Sequence, residues 1–85
     1  MTETEIGVIV HFFDKIGVAA INMTNGTLAV GDTIHIKGHS TDMTATVESM
    51  QVENDKIQTA KQGDSIGIKT GGKAREHDKV YKVTA

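Results

Sequence analysis

The sequence predicts an all-β fold, in which six short strands close into a small Greek-key barrel. Apolar residues alternate with polar ones along most of the chain, and this period of two is typical of half-buried strands. Turn-forming residues, above all the glycines, interrupt the alternation at short intervals. The 85 residues suffice for a single domain, 1–85, and closure of its sheet would remove exposed strand edges.

The first two predicted strands lie at residues 6–13 and 18–23. β-Branched and aromatic residues fill the first run, which favours a long and largely buried strand. Residues 14–17 form the turn between the two strands. After the second strand, the Asn25–Gly26 pair supplies the positive φ that a tight hairpin turn requires.

Three later segments repeat one pattern, a turn pair followed by alternating apolar residues. The pairs are Gly31–Asp32, Gly63–Asp64 and His77–Asp78. Glycine tolerates a tight turn, and the aspartate carboxylate accepts hydrogen bonds from nearby backbone N–H groups. We therefore expect each pair to precede a strand. Residues 43–52 form a further predicted strand, and residues 56–60 form either one helical turn or a plug at the end of the barrel.

Composition and charge exclude several classes of protein. The chain contains no cysteine, so neither a disulfide nor a thiolate metal site is available. No apolar run approaches the roughly 20 residues that a membrane span needs, and the sequence predicts a cytoplasmic protein without membrane contact. Seven of the nine basic side chains lie after residue 55, although the net charge is −2. This asymmetry indicates either a basic patch or a mixed, solvated surface.

Residues 26–36, GTLAVGDTIHI, resemble the G-x-L-x-x-G-D-x-I-x-I stretch in the second domain of elongation factor Tu and related translational GTPases. Residues 75–80, REHDKV, are similar to the R-x-G-D-x-V turn that closes this domain, with His77 in place of its glycine. The likeness spans residues 6–83, and it extends to short, free-standing bacterial proteins described as translation elongation factor-like. It implies the same six-stranded Greek-key barrel.

The resemblance implies a non-enzymatic binding module linked to translation, which would contact RNA, tRNA or a ribosome-associated protein. The sequence has no G-x-x-x-x-G-K-[ST] phosphate loop, so neither GTPase activity nor a nucleotide or other cofactor is expected. The alternative is a protein-interaction or self-associating module that uses the barrel face which packs on the GTPase domain in full-length factors. A monomer or a weak homodimer is expected in either case.

The resemblance and the basic residues together define a candidate nucleic-acid site. Gln51 stands where elongation factor Tu has an acidic residue in the pocket for the terminal adenosine, and Asn54 stands where that factor has arginine. Ser65 replaces the asparagine that commonly follows the Gly-Asp pair. Tyr81 is the candidate for base stacking, with a residue at the barrel rim as the alternative. The basic residues that would contact phosphate are Lys69, Lys73, Arg75 and Lys79.

Two further patterns carry the residue types of catalytic or metal sites. The segment 39–42, HSTD, contains histidine, serine and aspartate, but contiguous residues at a hairpin tip cannot point at one another as a triad must. The histidines at positions 11, 35, 39 and 77 lack the spacing of a structural zinc site. Strand alternation predicts that His35 faces solvent and that His11 is partly buried. The sequence therefore predicts neither an enzyme nor a metal centre.

Overall fold

The computed structural model describes residues 2–52, 55–70 and 72–84. These residues form strands and turns without a helix, which confirms the all-β class. The strands are β1 (Thr2–Phe13), β2 (Val18–Met23), β3 (Thr27–Ala29), β4 (Thr33–Lys37), β5 (Asp42–Thr46), β6 (Met50–Val52), β7 (Asp55–Ile57), β8 (Thr59–Lys61), β9 (Ser65–Lys69) and β10 (Lys79–Thr84). The described part of the chain thus offers no long apolar helix that could cross a bilayer.

All strand pairs in the molecule are antiparallel. Eight strands form one sheet in the order β5–β4–β10–β1–β2–β9–β6–β7, and β3 pairs with β8 in a sheet of two. The described residues therefore contain ten strands rather than the six predicted. Within them no ladder joins the outer strands β5 and β7, so the closed barrel is not confirmed.

Three predicted elements differ from the structure. The segment 43–52 forms two strands instead of one. As far as Val47 its backbone bonds to β4 and to Asp32 just before β4, and from Met50 onward it pairs with β9. The predicted helical turn at 56–60 is wrong, since residues 55–57 pair with β6 and residues 59–61 pair with β3. Ala60 is nevertheless buried, as the alternative prediction of a plug at the end of the barrel requires. The hairpin at Asn25–Gly26 is also wrong. Gly26 does have a positive φ of 69°, but the chain continues into β3, which pairs with β8 and not with β2.

A single apolar core takes side chains from most of the strands. Ile6 and Ile9 are both fully buried, although simple alternation places them on opposite faces of β1. A register shift between Glu5 and Gly7 opposite β10 explains this, and a second shift lies between Ile9 and His11 opposite β2. Each shift inserts an extra residue into β1, as a β-bulge does, and changes which side chains face inward. The buried cluster comprises Ile6, Ile9, Ala19, Ile21, Met23, Leu28, Ile34, Ile36, Val47, Met50, Ala60, Ile66, Ile68, Ala74 and Val80.

The predicted turn at Gly31–Asp32 precedes β4 and has a well-defined geometry. The N–H of Asp32 donates to the carbonyl of Ala29 at 3.0 Å, and Gly31 has φ 99°. The Asp32 carboxylate accepts the N–H of Ala29 at 2.8 Å. Opposite the turn, Val47 receives the N–H of Gly31 and donates its own N–H to the carbonyl of Asp32, both at 2.8 Å. This is a tight turn that runs into a glycine bulge, where two residues oppose one.

The same contacts recur at Gly63–Asp64, which precedes β9. The Asp64 carboxylate accepts the N–H of Lys61 at 3.0 Å, and the N–H of Asp64 donates to the carbonyl of Lys61 at 3.0 Å. Gly63 has φ 97°, and its N–H donates to the carbonyl of Met23 at 2.9 Å. Met23 returns its N–H to the carbonyl of Asp64 at 2.8 Å. The repeat seen in the sequence is therefore a repeat of backbone geometry.

The third copy, at His77–Asp78, precedes β10 and contains a conformational outlier. The Asp78 carboxylate accepts the N–H of Arg75 at 2.9 Å, and His77 donates its N–H to the carbonyl of Ile9 at 2.7 Å. His77 occupies the position that glycine holds in the other copies, yet it keeps a positive φ of 74°. A side chain in this region of φ is uncommon and strained. All three turns precede strands, which confirms that part of the prediction.

Candidate functional site

Large apolar side chains are exposed along the β1–β2 hairpin. Ile16, in the turn, is 61% exposed, and Phe13 and Val10 on β1 are 46% and 43% exposed. The turn is closed by the N–H of Gly17, which donates to the carbonyl of Phe13 at 2.9 Å, and Gly17 has φ 66°. These contacts hold Ile16 at the tip, away from the core. An exposed apolar side chain at a hairpin tip is accessible for contact with another molecule.

A cleft beside this hairpin is the candidate functional site. It consists of two adjoining hollows of about 350 and 340 Å³, which share Phe12, Asp14 and Lys73. We call the two together the Phe12 cleft. Its lining residues are His11, Phe12, Asp14, Ile16, Gly17, Lys69, Gly72, Lys73, Ala74, Arg75 and Glu76. The cleft thus combines an apolar floor with charged walls.

The Phe12 cleft carries three cationic side chains and two acidic ones, Asp14 and Glu76. Lys69, Lys73 and Arg75 are exposed, and none of them forms an ion pair with a carboxylate among the described residues. Of the two acidic residues in the lining, Glu76 lies 3.3 Å from Nδ1 of His11. Exposed cations around an apolar floor favour a ligand that carries both an apolar group and negative charge.

The strained turn contributes one wall of the cleft. Arg75 and Glu76 directly precede His77, and the backbone N–H of Arg75 is fixed by the Asp78 carboxylate at 2.9 Å. Asp78 is buried, with 5% of its surface exposed, so this wall is anchored from within the protein. Strained residues cluster at binding and active sites. Sequence reasoning did not identify the cleft, although the apolar Ile16 within a predicted turn was a signal for it.

The structure distributes the predicted nucleic-acid residues over separate places. Lys69, Lys73 and Arg75 meet in the Phe12 cleft. A shallow pocket of about 260 Å³ beside Phe13 contains Gln51 and Ser65, and Ser65 donates its hydroxyl proton to Oδ1 of Asn22 at 2.8 Å. The prediction for Asn54 lies outside the described residues.

Two further members of that set lie on β10. Lys79 pairs opposite Lys37 and Tyr81 opposite His35, so both belong to the part of the sheet next to β4. Lys79 Nζ is 3.8 Å from a carboxylate oxygen of Glu5, and Tyr81 is half-buried. The seven described residues of the set therefore lie in three separate places, and their individual binding roles stay predictions.

A histidine on β4 forms the tightest polar cluster of the sheet. His35 Nε2 lies 2.5 Å from Oδ1 of Asp42, and its Nδ1 lies 2.9 Å from Oε2 of Glu3. Its side chain is only 16% exposed, so the prediction of a solvent-facing His35 is not confirmed. The hydrogen bonds to Asp42 and Glu3 raise the pKa of His35, against the opposing effect of burial. The same contact with His35 lowers the pKa of Asp42.

Catalytic and metal chemistry finds little support in the described residues. The segment 38–41 is the loop between β4 and β5, closed by the N–H of Gly38 bonding to the carbonyl of Thr41 at 2.7 Å, as predicted for a hairpin tip. No group of three histidine or acidic residues in the described part is arranged to bind a metal ion. His11 was expected to be partly buried, but its side chain is 54% exposed.

The structure is a small all-β fold with an open cleft beside its first hairpin. Its fold matches that of the C-terminal domain of a Geobacillus thermoleovorans protein described as a U32 peptidase, with a TM-score of 0.87 and 16% identity over 94% of this chain and 92% of that one. The selenomethionine variant of the same domain matches with a TM-score of 0.84 and 15% identity, over 91% and 96%. At these identities the likeness is one of fold.

Sequence comparisons find proteases as well. The chain is 40% identical over 78 residues, 91% of its length, to an uncharacterized protease of Methanocaldococcus jannaschii. It is 32% identical over 81 residues, 94% of its length, to a collagenase of Porphyromonas gingivalis. It spans only about a fifth of these relatives, 19% and 22% of their lengths. No family model matches the chain.

These findings correct the resemblance to translation factors. The two sequence relatives are described as a protease and a collagenase, so a translation-linked, RNA-binding module is wrong. The physical reason lies in the motif itself. Each Gly-Asp pair specifies a tight turn and a bulge, and any small antiparallel domain can use such a turn to enter a strand. The motif specifies a turn geometry and does not identify one protein family.

Proposed function

We propose that the chain is a non-catalytic domain associated with a peptidase and that it holds unfolded polypeptide in the Phe12 cleft. The observation that carries the proposal is the extent of the similarity. Nearly the whole chain matches a protease and a collagenase, yet it covers about a fifth of either. The remaining length of such proteins is ample for a separate catalytic domain, and a small domain beside it serves to recruit or position substrate.

The lining of the cleft supports a binding role in preference to catalysis. Its side chains include His11 and Glu76, which are 3.3 Å apart, but no serine, threonine or cysteine. A histidine–carboxylate pair with no hydroxyl or thiol side chain beside it among the described residues lacks a side-chain nucleophile for a peptide bond. The pair is also largely exposed, with 54% and 55% of the two side chains accessible.

The chemistry of unfolded polypeptide fits the cleft. Phe12 and Ile16 offer an apolar surface for side chains that a folded protein would bury. Lys69, Lys73 and Arg75 offer donors for carboxylates and backbone carbonyls. Closure of the sheet into a six-stranded Greek-key barrel stays a prediction, and the proposal does not depend on it.

Fluorescence anisotropy with labelled, unfolded casein tests the proposal. We expect the chain to bind casein and to leave it uncleaved. Ile16→Ser should weaken binding at least severalfold, because it removes the exposed apolar side chain that borders the cleft. Val10→Ser is the matched control, since Val10 is also exposed on the hairpin but lies outside the cleft lining. Cleavage of casein by the chain, or equal loss of binding in the two variants, would contradict the proposal.

A further inference from the structure

The strand β5 is an outer strand of the large sheet, and its open edge has a defined set of free backbone groups. In an antiparallel pair, alternate residues direct their N–H and C=O groups toward the partner strand. Thr41 and Val47 both bond to the β4 side, through Gly38 and Asp32. By alternation Met43 and Ala45 do the same, and Asp42, Thr44 and Thr46 direct their backbone groups away from β4.

No described residue forms a hydrogen bond with the outward backbone N–H and C=O groups of these three residues. β5 pairs with β4 alone, and the backbone hydrogen bonds outside the ladders do not include residues 42, 44 or 46. Edge strands usually carry lysine, proline or a bulge that prevents further pairing. β5, with the sequence DMTAT, has none of these and carries only Asp42 as a charged residue. The edge therefore keeps its capacity to pair with another strand.

A groove runs along this edge. It has a volume of about 390 Å³ and is lined by Thr44, Ala45, Thr46, Glu48, Lys69 and Thr70. The segment from Lys69 to Thr70 forms its opposite wall, and Thr70 is held in place by its hydroxyl, which donates to the carbonyl of Gly72 at 2.6 Å. We call it the β5 groove. Its polar lining favours a ligand whose backbone makes most of the contacts.

We propose that the β5 groove binds an extended polypeptide segment, which adds to β5 as a further strand. The inference rests on the proposed function, because it names the way in which the domain would hold its polypeptide ligand. Strand addition satisfies the outward N–H and C=O groups of Asp42, Thr44 and Thr46, and it requires little of the ligand sequence. Low sequence demand suits a domain that presents many different chains to a peptidase.

The position of the groove explains why one strand is the preferred occupant. Lys69 and Thr70 line the groove together with residues 44–46 of β5, so a strand that lies on the edge of β5 would also contact the segment 69–70. Lys69 also lines the Phe12 cleft, so the groove and the cleft meet at its side chain. A chain that leaves the groove past Lys69 can place its next side chains in the cleft. The two sites together would hold a longer segment than either alone.

Amide hydrogen exchange with a synthetic peptide tests the inference directly. The probe is a capped, eight-residue peptide rich in threonine and valine, and its control has the same side chains with alternate backbone amides N-methylated. In the free protein, the amides of Met43 and Ala45 should exchange slowly and those of Thr44 and Thr46 rapidly. The unmodified peptide should slow exchange at Thr44 and Thr46 at least tenfold, and the N-methylated peptide should not.

Two variants complete the test. Thr44→Pro removes an outward N–H and should weaken peptide binding about tenfold, whereas Thr44→Val keeps that N–H and should weaken binding much less than the proline variant does. Should the proline variant fail to fold, hydrogen exchange on the unaltered chain still tests the proposal.

Equal protection of the β5 amides by the two peptides would overturn the proposal. Protection of residues 44 and 46 that depends on protein concentration alone would also overturn it, since a second copy of the chain would then occupy the edge. Casein binding with none of these changes would overturn strand addition and leave the proposed function standing.

Discussion

At the residue scale, His77 is the non-glycine residue with a positive φ among the three equivalent turns. It adopts φ 74° at a position where the equivalent turns have Gly31 and Gly63. The turn tolerates it because the backbone on both sides is fixed, by the N–H of His77 to the carbonyl of Ile9 and by the Asp78 carboxylate. The strain is therefore held by contacts that the fold makes anyway.

Replacing this residue with glycine should stabilise the protein. We expect His77→Gly to raise the free energy of unfolding by about 0.5–1 kcal/mol, because relief of strain exceeds the added entropy of the unfolded chain. Urea denaturation measures the change. His39→Gly is the control, since His39 is exposed in a loop without a positive φ, and it should be neutral or slightly destabilising. Destabilisation by His77→Gly would show that the side chain makes a contribution larger than its strain.

His35 makes a second residue-scale prediction, which concerns pH. Hydrogen bonds to the Asp42 and Glu3 carboxylates raise the pKa of His35 above its ordinary value of 6.5 in the folded protein. The folded state thus binds a proton more tightly than the unfolded state does. The resulting stabilisation is fully present below the ordinary pKa and is lost as the pH rises through the folded pKa.

Unfolding by urea at a series of pH values checks this prediction. The free energy of unfolding should fall as the pH rises above about 6.5, and His35→Gln should remove most of that slope. His39→Gln is the matched control and should leave the slope in place. A slope that survives in His35→Gln would assign the pH dependence to other groups.

At the scale of elements, the antiparallel turns were the most predictable part of the fold. The alternation and the three turn pairs placed β2, β4, β9 and β10 to within about a residue, because local turn chemistry decides where these strands begin. The bulges in β1 were not predictable, since they depend on the register with β2 and β10. The segment at 56–60 formed strands because β3 and β6 are available to pair with it, which no local propensity reveals.

The candidate site was less predictable than the fold for a related reason. The residues of the Phe12 cleft come from the hairpin at 11–17 and from the segment 69–76, which only the fold brings together. Three of the predicted basic residues do lie there, namely Lys69, Lys73 and Arg75, and the ligand that they contact stays a prediction. Positive charge in a sequence does not distinguish nucleic acid from a polypeptide carboxylate.

At the scale of the whole molecule, the chain combines a rigid core with two adjoining open sites. The core is continuous through the sheet, whereas the Phe12 cleft and the β5 groove lie at its margins and meet at Lys69. A domain of this size has limited surface for binding. In the proposed function, two contact sites side by side would hold one extended chain without a deep pocket.

The measurement that tests the central claim most directly is an NMR titration of the isotope-labelled chain with unfolded casein. The account predicts chemical shift changes at residues 12–17 and 72–75, which saturate with casein concentration and persist when Val10→Ser is used. It also predicts that Ile16→Ser abolishes most of these changes. Absence of any change, or changes confined to β3 and β8 on another part of the molecule, would contradict the claim that the Phe12 cleft holds polypeptide.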